Sequence, residues 1–226
     1  MRLKIFPWLG QRFISLSWEG NGEGTVEDET RGIFAGFEQR LGQFGLSLDH
    51  VARTRMFTRD MNTWTESNAT RASILKGKAR SVSSSHIWPD HLGDRARVSI
   101  DLIAMVPPPS PEEKVLKEYD PPTIVLRRMN WGGLLFLSGV TDMTHVTFDE
   151  QFPVIIKRLT DTLADGAGSW DKVRRADFFL HHEETLEHLQ ESFARAVNVD
   201  IPDIGYTFVG TRQGKRLEIE LTAKVS

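Results

Sequence analysis

Residues 33–60 read IFAGFEQRLGQFGLSLDHVARTRMFTRD, and residues 155–182 read IIKRLTDTLADGAGSWDKVRRADFFLHH. A constant offset of 122 positions lays the first on the second. It pairs Leu41 with Leu163, Ser47 with Ser169, Asp49 with Asp171, Val51 with Val173, Arg53 with Arg175 and Phe57 with Phe179. Near the end of each copy the offset shrinks slightly, and SIDLIA (99–104) meets EIELTA (218–223). Self-similarity at a fixed spacing marks a duplicated structural unit, even where identity is low, because the apolar skeleton decides the packing. The break falls in PPPSPEEKVLKEYDPP (107–122), whose prolines favour extended, loosely packed chain. The expected organisation is a first unit over 1–106, a proline-rich linker over 107–122 and a second unit over 123–226.

Each copy carries the same order of elements. RFISLSW (12–18) and LLFLSGV (134–140) are apolar strands. Ile33, Phe34, Phe37, Leu41 and Phe44 recur at three- and four-residue steps, as do Phe152, Ile155, Ile156, Leu159 and Leu163, so each set lies on one helical face. A glycine turn ends each helix, at Gly45 in one copy and at Gly166 and Gly168 in the other. Strands follow at VARTRMFT (51–58) and VRRADFFL (173–180), then second helices over about 64–76 and 184–197, then closing strands ARVSIDLIAMV and RLEIELTAKV. Two helices on one face of a mostly antiparallel sheet make an α+β layered unit. The opposite sheet face is expected to be apolar as well, through Ile14, Leu102 and Leu221, and therefore to need a partner surface.

Composition narrows the function classes. Among 226 residues, 39% are hydrophobic and 26% charged, in the range of folded domains. The formal charge of −3 offers no basic field for a phosphate backbone, so nucleic acid is not an expected partner. The absence of cysteine excludes disulfides, thiolate metal sites and a cysteine nucleophile. With no signal-peptide h-region and no run of about 18 apolar residues, a cytoplasmic protein without a membrane segment is expected.

LGQFGLSLDHVARTRMFTRDMNTWTESNATR (41–71) resembles the helix–glycine–strand–helix core of the RidA (YjgF) family of enamine and imine deaminases, with Asp60, Met61, Trp64 and Asn68 on its motif. Ala79-Arg80-Ser81 is similar to the family's A-R-S signature, and SIDLIA and EIELTA to its closing E-I-E-A-I-A. In the second copy the likeness rests on FLSG (136–139), SWDKV (169–173) and EIELTA. The resemblance implies two tandem RidA-like (chorismate-mutase-like) units, trimers around a sheet barrel, pockets between neighbouring units and no cofactor. It further implies that Arg80 clamps a substrate carboxylate, that Asn68 stands at the family's asparagine position, and that Glu218 orients the attacking water. The set is split. Ser99 stands at the glutamate position of the first unit, PDIGYTF (202–208) offers no arginine in the second, and the G-P-Y-S segment near the family's N-terminus is missing from both. A site shared between units would bring Arg80 and Glu218 together.

The residue chemistry agrees in part with this. A guanidinium stays charged and grips a carboxylate with two donors. Immediately after Arg80, Ser81, Ser83, His86, Trp88 and Asp90 supply hydroxyls, an imidazole, an indole and a carboxylate within ten residues, with His86 or Asp90 as candidate general base. A polar turn holding a packed tryptophan explains the same stretch equally well. His181, Glu184 and His188 lack the H-E-x-x-H spacing, so no metal is expected, and no glycine loop has the nucleotide-binding pattern. The leading expectation is an enzyme acting on a small carboxylate-bearing substrate with an imine or related C–N centre. Glu218, His86 and Asp90 are its catalytic candidates; Arg80, Asn68, Ser81, Ser83 and Trp88 are the binding ones. A diverged lyase or hydrolase, and a non-catalytic small-molecule binder, stay open as alternatives.

Overall fold

The computed structural model describes residues 1–210 and 214–225. The first half runs β1 (Arg2–Trp8), β2 (Gln11–Glu19), α1 (Val26–Gly42), β3 (Val51–Thr58), α2 (Met61–Ile74), β4 (Val82–Ile87) and β5 (Val98–Val106). Its sheet has the order β1-β2-β5-β3-β4, antiparallel except for the parallel pair β3–β4. The second half runs β6 (Val115–Lys117), β7 (Arg128–Trp131), β8 (Leu134–Leu137), β9 (Val140–Thr141), α3 (Phe148–Asp165), β10 (Val173–His181), α4 (Leu186–Ala196), β11 (Asp203–Val209) and β12 (Leu217–Lys224). Its sheet has the order β11-β10-β12-β8-β7-β6, with β9 also on β12 and the parallel pair at β10–β11. No helix among the described residues is long and apolar enough to cross a membrane.

Local chemistry sets the element ends. Thr25 and Asp28 close a capping box on α1, and Thr147 and Glu150 close the matching one on α3, each satisfying amides that a helix start leaves unbonded. Asp60 caps α2 by accepting from Thr63 N at 2.8 Å. The turn after α1 uses Gly45 at φ +70°, as expected, but after α3 the left-handed residue is Ala167. Gly166 and Gly168 are needed there for another reason: a Cβ on either would press on the Leu135 side chain, at 2.6 and 2.8 Å.

The strands β1, β4, β6, β7 and β11 escaped the sequence reading. VSSSHI (82–87) carries three consecutive serines, poor strand formers that hide the alternation, yet it pairs with β3 along its whole length. Its counterpart β11 pairs with β10 in the same way. The segment 107–122 also holds more structure than a plain linker, since β6 lies within it and Trp131 Nε1 donates to Ser110 O at 2.9 Å.

The second sheet face is a correction. Ile14 and Leu102 point toward α1 and join its core, and Leu221 joins the core under α3 and α4. The opposite faces instead present Phe13, Ala52, Val82 and Met105 from one sheet and Met129, Trp131, Leu134 and Phe136 from the other, packed together as a third core. The partner surface that each unit needs is thus the other unit of the same chain. Burying a large apolar side chain there contributes about 1.5–3 kcal/mol.

A buried ion cluster runs through the same seam. Arg53 donates to Leu137 O at 3.0 Å and Leu221 O at 2.8 Å, and Arg55 binds Glu220 and Asp177, its Nη2 lying 2.7 and 2.6 Å from their oxygens. Arg55 and Asp177 are equivalent positions of the repeat, 122 residues apart, that have taken opposite charges.

Candidate functional site between the two units

Where β4 of the first unit meets the second unit, the backbones are stitched directly. Ser83 N donates to Ser138 Oγ at 3.0 Å, and Gly139 N donates to Ser83 O at 3.1 Å. A register slip makes this reach possible. β12 pairs Thr222 with Phe136 but Glu218 with Thr141, so one extra residue is taken up at Ser138–Gly139 and pushes the chain toward β4.

Beside the stitch lies a cleft of about 770 Å³. The first unit contributes Trp64 and Asn68 from α2 and Ser83, Ser84 and Ser85 from β4. The second contributes Gly139, Thr141, Lys215 and Glu218, with Arg158 and Thr162 of α3. The loop between β6 and β7 closes one side with Tyr119, Ile124 and Arg127.

Glu218 is the buried acid of this cleft, 5% exposed. It shares a sheet face with Glu220, two residues on, but Glu220 is spent on the arginines of the seam while Glu218 reaches the cavity. Gly139 makes room for it, since a Cβ at that position would run into Glu218 Oε1. Lys215, also 5% exposed, forms a close ion pair with Glu218 Oε2. Its Nζ further reaches Ser85 O and His86 Nδ1, both at 3.3 Å, and so ties the acid to the first unit.

The opposite wall is preset by Arg71, which is 2% exposed. It donates to Ser84 O at 3.1 Å and to Asn68 Oδ1 at 2.6 Å. Burial draws its pKa down to about 10, with Glu218 opposing, so it stays charged at neutral pH. With the Asn68 oxygen occupied, the amide NH₂ is the group left to donate to a ligand. Trp64 Nε1 is held by Ser85 Oγ at 2.9 Å. Burial pushes the Tyr119 phenol up, so it too stays protonated and able to donate.

Of the residues singled out from sequence, Asn68, Ser83 and Glu218 line the cleft. Arg80 sits beyond its rim, paired with Glu118 at 2.5 Å and donating to Ile124 O at 3.3 Å. His86 lies behind Lys215, stacked on Phe179 (4.0 Å between centroids) and near Phe57 (5.4 Å). Burial first, then Lys215 and the nearby arginines, hold its pKa well below the usual imidazole value, so it is neutral. Trp88 packs against the Phe57–Phe179–Val209 cluster, Asp90 is exposed in a turn, and Ser81 is buried away from the cleft. Strand alternation explains the dispersal: β4 turns His86 to one face while Ser83 and Ser85 address the other. The sequence reading passed over Lys215, Gly139, Arg71 and Tyr119, for which no local pattern signals a role.

No protein-family model matches the sequence, and no curated protein matches it. Among solved structures, a chorismatase aligns over 94% of this chain and 74% of its own, at 14% identity with a TM-score of 0.71. A YjgF-family protein from Mycobacterium tuberculosis covers 50% of this chain and all of its own, at 18% identity and a TM-score of 0.45. RidA from the Antarctic bacterium Psychrobacter covers 44% of this chain and 86% of its own, at 17% identity and a TM-score of 0.41. The chain is a tandem α+β protein of two similar units, and it shares this fold with the chorismatase.

Proposed function

We propose that this chain is a RidA-like enzyme that hydrolyses a small carboxylate-bearing substrate, an enamine or imine in the first instance, in the cleft between its two units. The observation that carries the reading is Glu218 on the cleft wall opposite Asn68 and Ser83, so that neither unit alone holds the site. A buried carboxylate beside a cavity can orient a water and take its proton as that water attacks an electrophilic carbon. Lys215 pairs with this acid directly and holds its Oε2 at the cleft wall. Asn68 and Tyr119 supply donors for the oxygen or nitrogen that gains charge. His86 and Asp90, off the cleft, have no role in this version. The sequence is expected to act in the cytoplasm and to form homo-oligomers, with the trimer of the resemblance as the starting hypothesis.

Ammonia release from freshly generated 2-aminoacrylate tests the reading. Wild type should turn over, and Glu218→Gln should lose at least about a hundredfold, the usual share of a general base. A second reading draws on the alignment with a chorismatase over both units, namely hydrolysis of chorismate or a similar ring carboxylate. No ammonia release together with Glu218-dependent consumption of chorismate would replace the first reading by the second. Saturable binding without turnover in either assay would leave a small-molecule binder.

A further inference from the structure

The loop of residues 118–126 joins β6 to β7 and is pinched at its base, where Lys117 pairs with Arg128 and Arg127 N donates to Lys117 O at 2.9 Å. Tyr119, Ile124 and Val125 of this loop line the cleft, and Ile124 is 49% exposed. Arg80 staples both ends of it, binding Glu118 at the start and the Ile124 carbonyl near the finish. The chain's own carboxylate thus occupies the guanidinium that the resemblance assigns to a substrate carboxylate.

The fit of that carboxylate is poor. A guanidinium normally engages both oxygens of a carboxylate in parallel. Here Glu118 Oε1 makes the pair, while Oε2 is buried with no hydrogen-bond partner. A buried acceptor left unpaired is unfavourable, so this contact is weaker than the one that a free carboxylate, unconstrained by a loop, makes at the same place. Arg80 and Glu118 are also partly exposed, at 27% and 36%, which screens the pair further.

We propose that the 118–126 loop is a lid on the cleft, that Arg80 is its latch, and that Glu118 is a built-in competitor which a ligand carboxylate must displace. Arg80 then acts on both ligand and lid: the incoming carboxylate takes the guanidinium, Glu118 is released to solvent, and the lid is freed to move at the mouth of the cleft. This rests on the carboxylate reading above, and two independent measurements separate their failures.

Full-length wild type, Glu118→Gln and Glu112→Gln are compared, the last removing the same charge from a nearby exposed pair with Lys78. The first measurement is amide hydrogen exchange. Glu118→Gln should speed exchange over 118–126 while leaving α2 and β4 unchanged, and Glu112→Gln should do neither. The second is calorimetric titration with pyruvate as the carboxylate probe. Its affinity should rise about two- to fivefold in Glu118→Gln, the worth of a partly exposed pair, and stay at the wild-type value in Glu112→Gln. Unchanged exchange in Glu118→Gln overturns the latch whatever pyruvate does. Faster exchange with wild-type pyruvate affinity overturns the competition. Faster exchange with no pyruvate binding to any variant, ring carboxylates included, overturns the carboxylate reading itself.

Discussion

Replacing Lys215 by methionine keeps the length of the side chain and removes only its charge, which isolates the ion pair with Glu218. Both partners are 5% exposed, so the variant leaves a carboxylate facing protein on most sides. Removing one member of a buried pair costs about 3–5 kcal/mol, and the open cleft on one side of Glu218 places the expected loss at the lower end, about 3 kcal/mol at pH 8. Urea unfolding followed by tryptophan fluorescence measures the loss. A double-mutant cycle then isolates the pair: the losses in Lys215→Met and Glu218→Gln should fall well short of adding in the double variant, because contacting side chains couple by about 0.5–3 kcal/mol. A loss under about 1 kcal/mol in Lys215→Met, or losses that add within about 0.5 kcal/mol, would refute the pair as a stabilising contact.

The remaining predictions concern the seam and the cleft wall. His86 is held neutral by burial, with its pKa well below the ordinary 6.5, so wild-type stability should be fully present above about pH 6.5 and fall as pH drops below it; His86→Phe, stacking between Phe57 and Phe179, should flatten that part of the stability profile. Arg55→Leu strands Asp177 and Glu220 in the seam and should cost about 3–5 kcal/mol by denaturant titration, whereas a loss under about 1 kcal/mol would show that Arg53 and Arg175 suffice. Gly139→Ala places a methyl group where Glu218 Oε1 lies, so turnover should fall about as far as in Glu218→Gln while the melting temperature moves by only a few degrees. Asn68→Ala should weaken ligand binding by about 1–2 kcal/mol in calorimetry, the worth of a buried hydrogen bond plus the partner left on Arg71.

What the sequence made legible follows from how far each signal travels along the chain. The duplication, α1, α3 and the closing strands are written in periodic apolar residues a few positions apart, and they can be read without tertiary context, whereas α2 buries Thr63, Ser67, Asn68, Thr70 and Arg71 and has no such period. β4 and β11 are not, because an edge strand running parallel to its neighbour is fixed by that neighbour, and Ser83-Ser84-Ser85 has no apolar alternation of its own. The orientation of Ile14, Leu102 and Leu221 fails for a related reason. Both faces of these sheets are apolar, so composition alone cannot say which face meets the helices. In the site, Asn68 and Glu218 were reachable through a family pattern, and Ser83 through its place just after Arg80. Lys215 was not: its pairing with Glu218 is local, but Ser85 and His86, which it also meets, lie about 130 residues away in sequence. Arg80 was found, but Glu118 was passed over as part of a proline-rich connection.

Joining two copies in one chain changes what selection can do with their contact surface. In an assembly of identical subunits, a substitution alters every copy of an interface at once, so a position facing its own equivalent cannot become arginine on one side and aspartate on the other. Here the repeat position shared by Arg55 and Asp177 has done so, and the two now bind each other directly. The same freedom acts on the cleft. Glu218 needs Gly139 in front of it and Lys215 beside it, whereas the first unit carries Ser99 at the glutamate position and supplies the opposite wall through Asn68, Ser83 and Arg71. One unit therefore holds the acid, and the other supplies the wall that carries Asn68 and Ser83. If that division is the working arrangement, restoring a glutamate at Ser99, which is 1% exposed, should add no second active site, and titration should still count one ligand per chain. Two ligands per chain in Ser99→Glu would show instead that each unit retains a complete frame and that the split is only a loss of side chains.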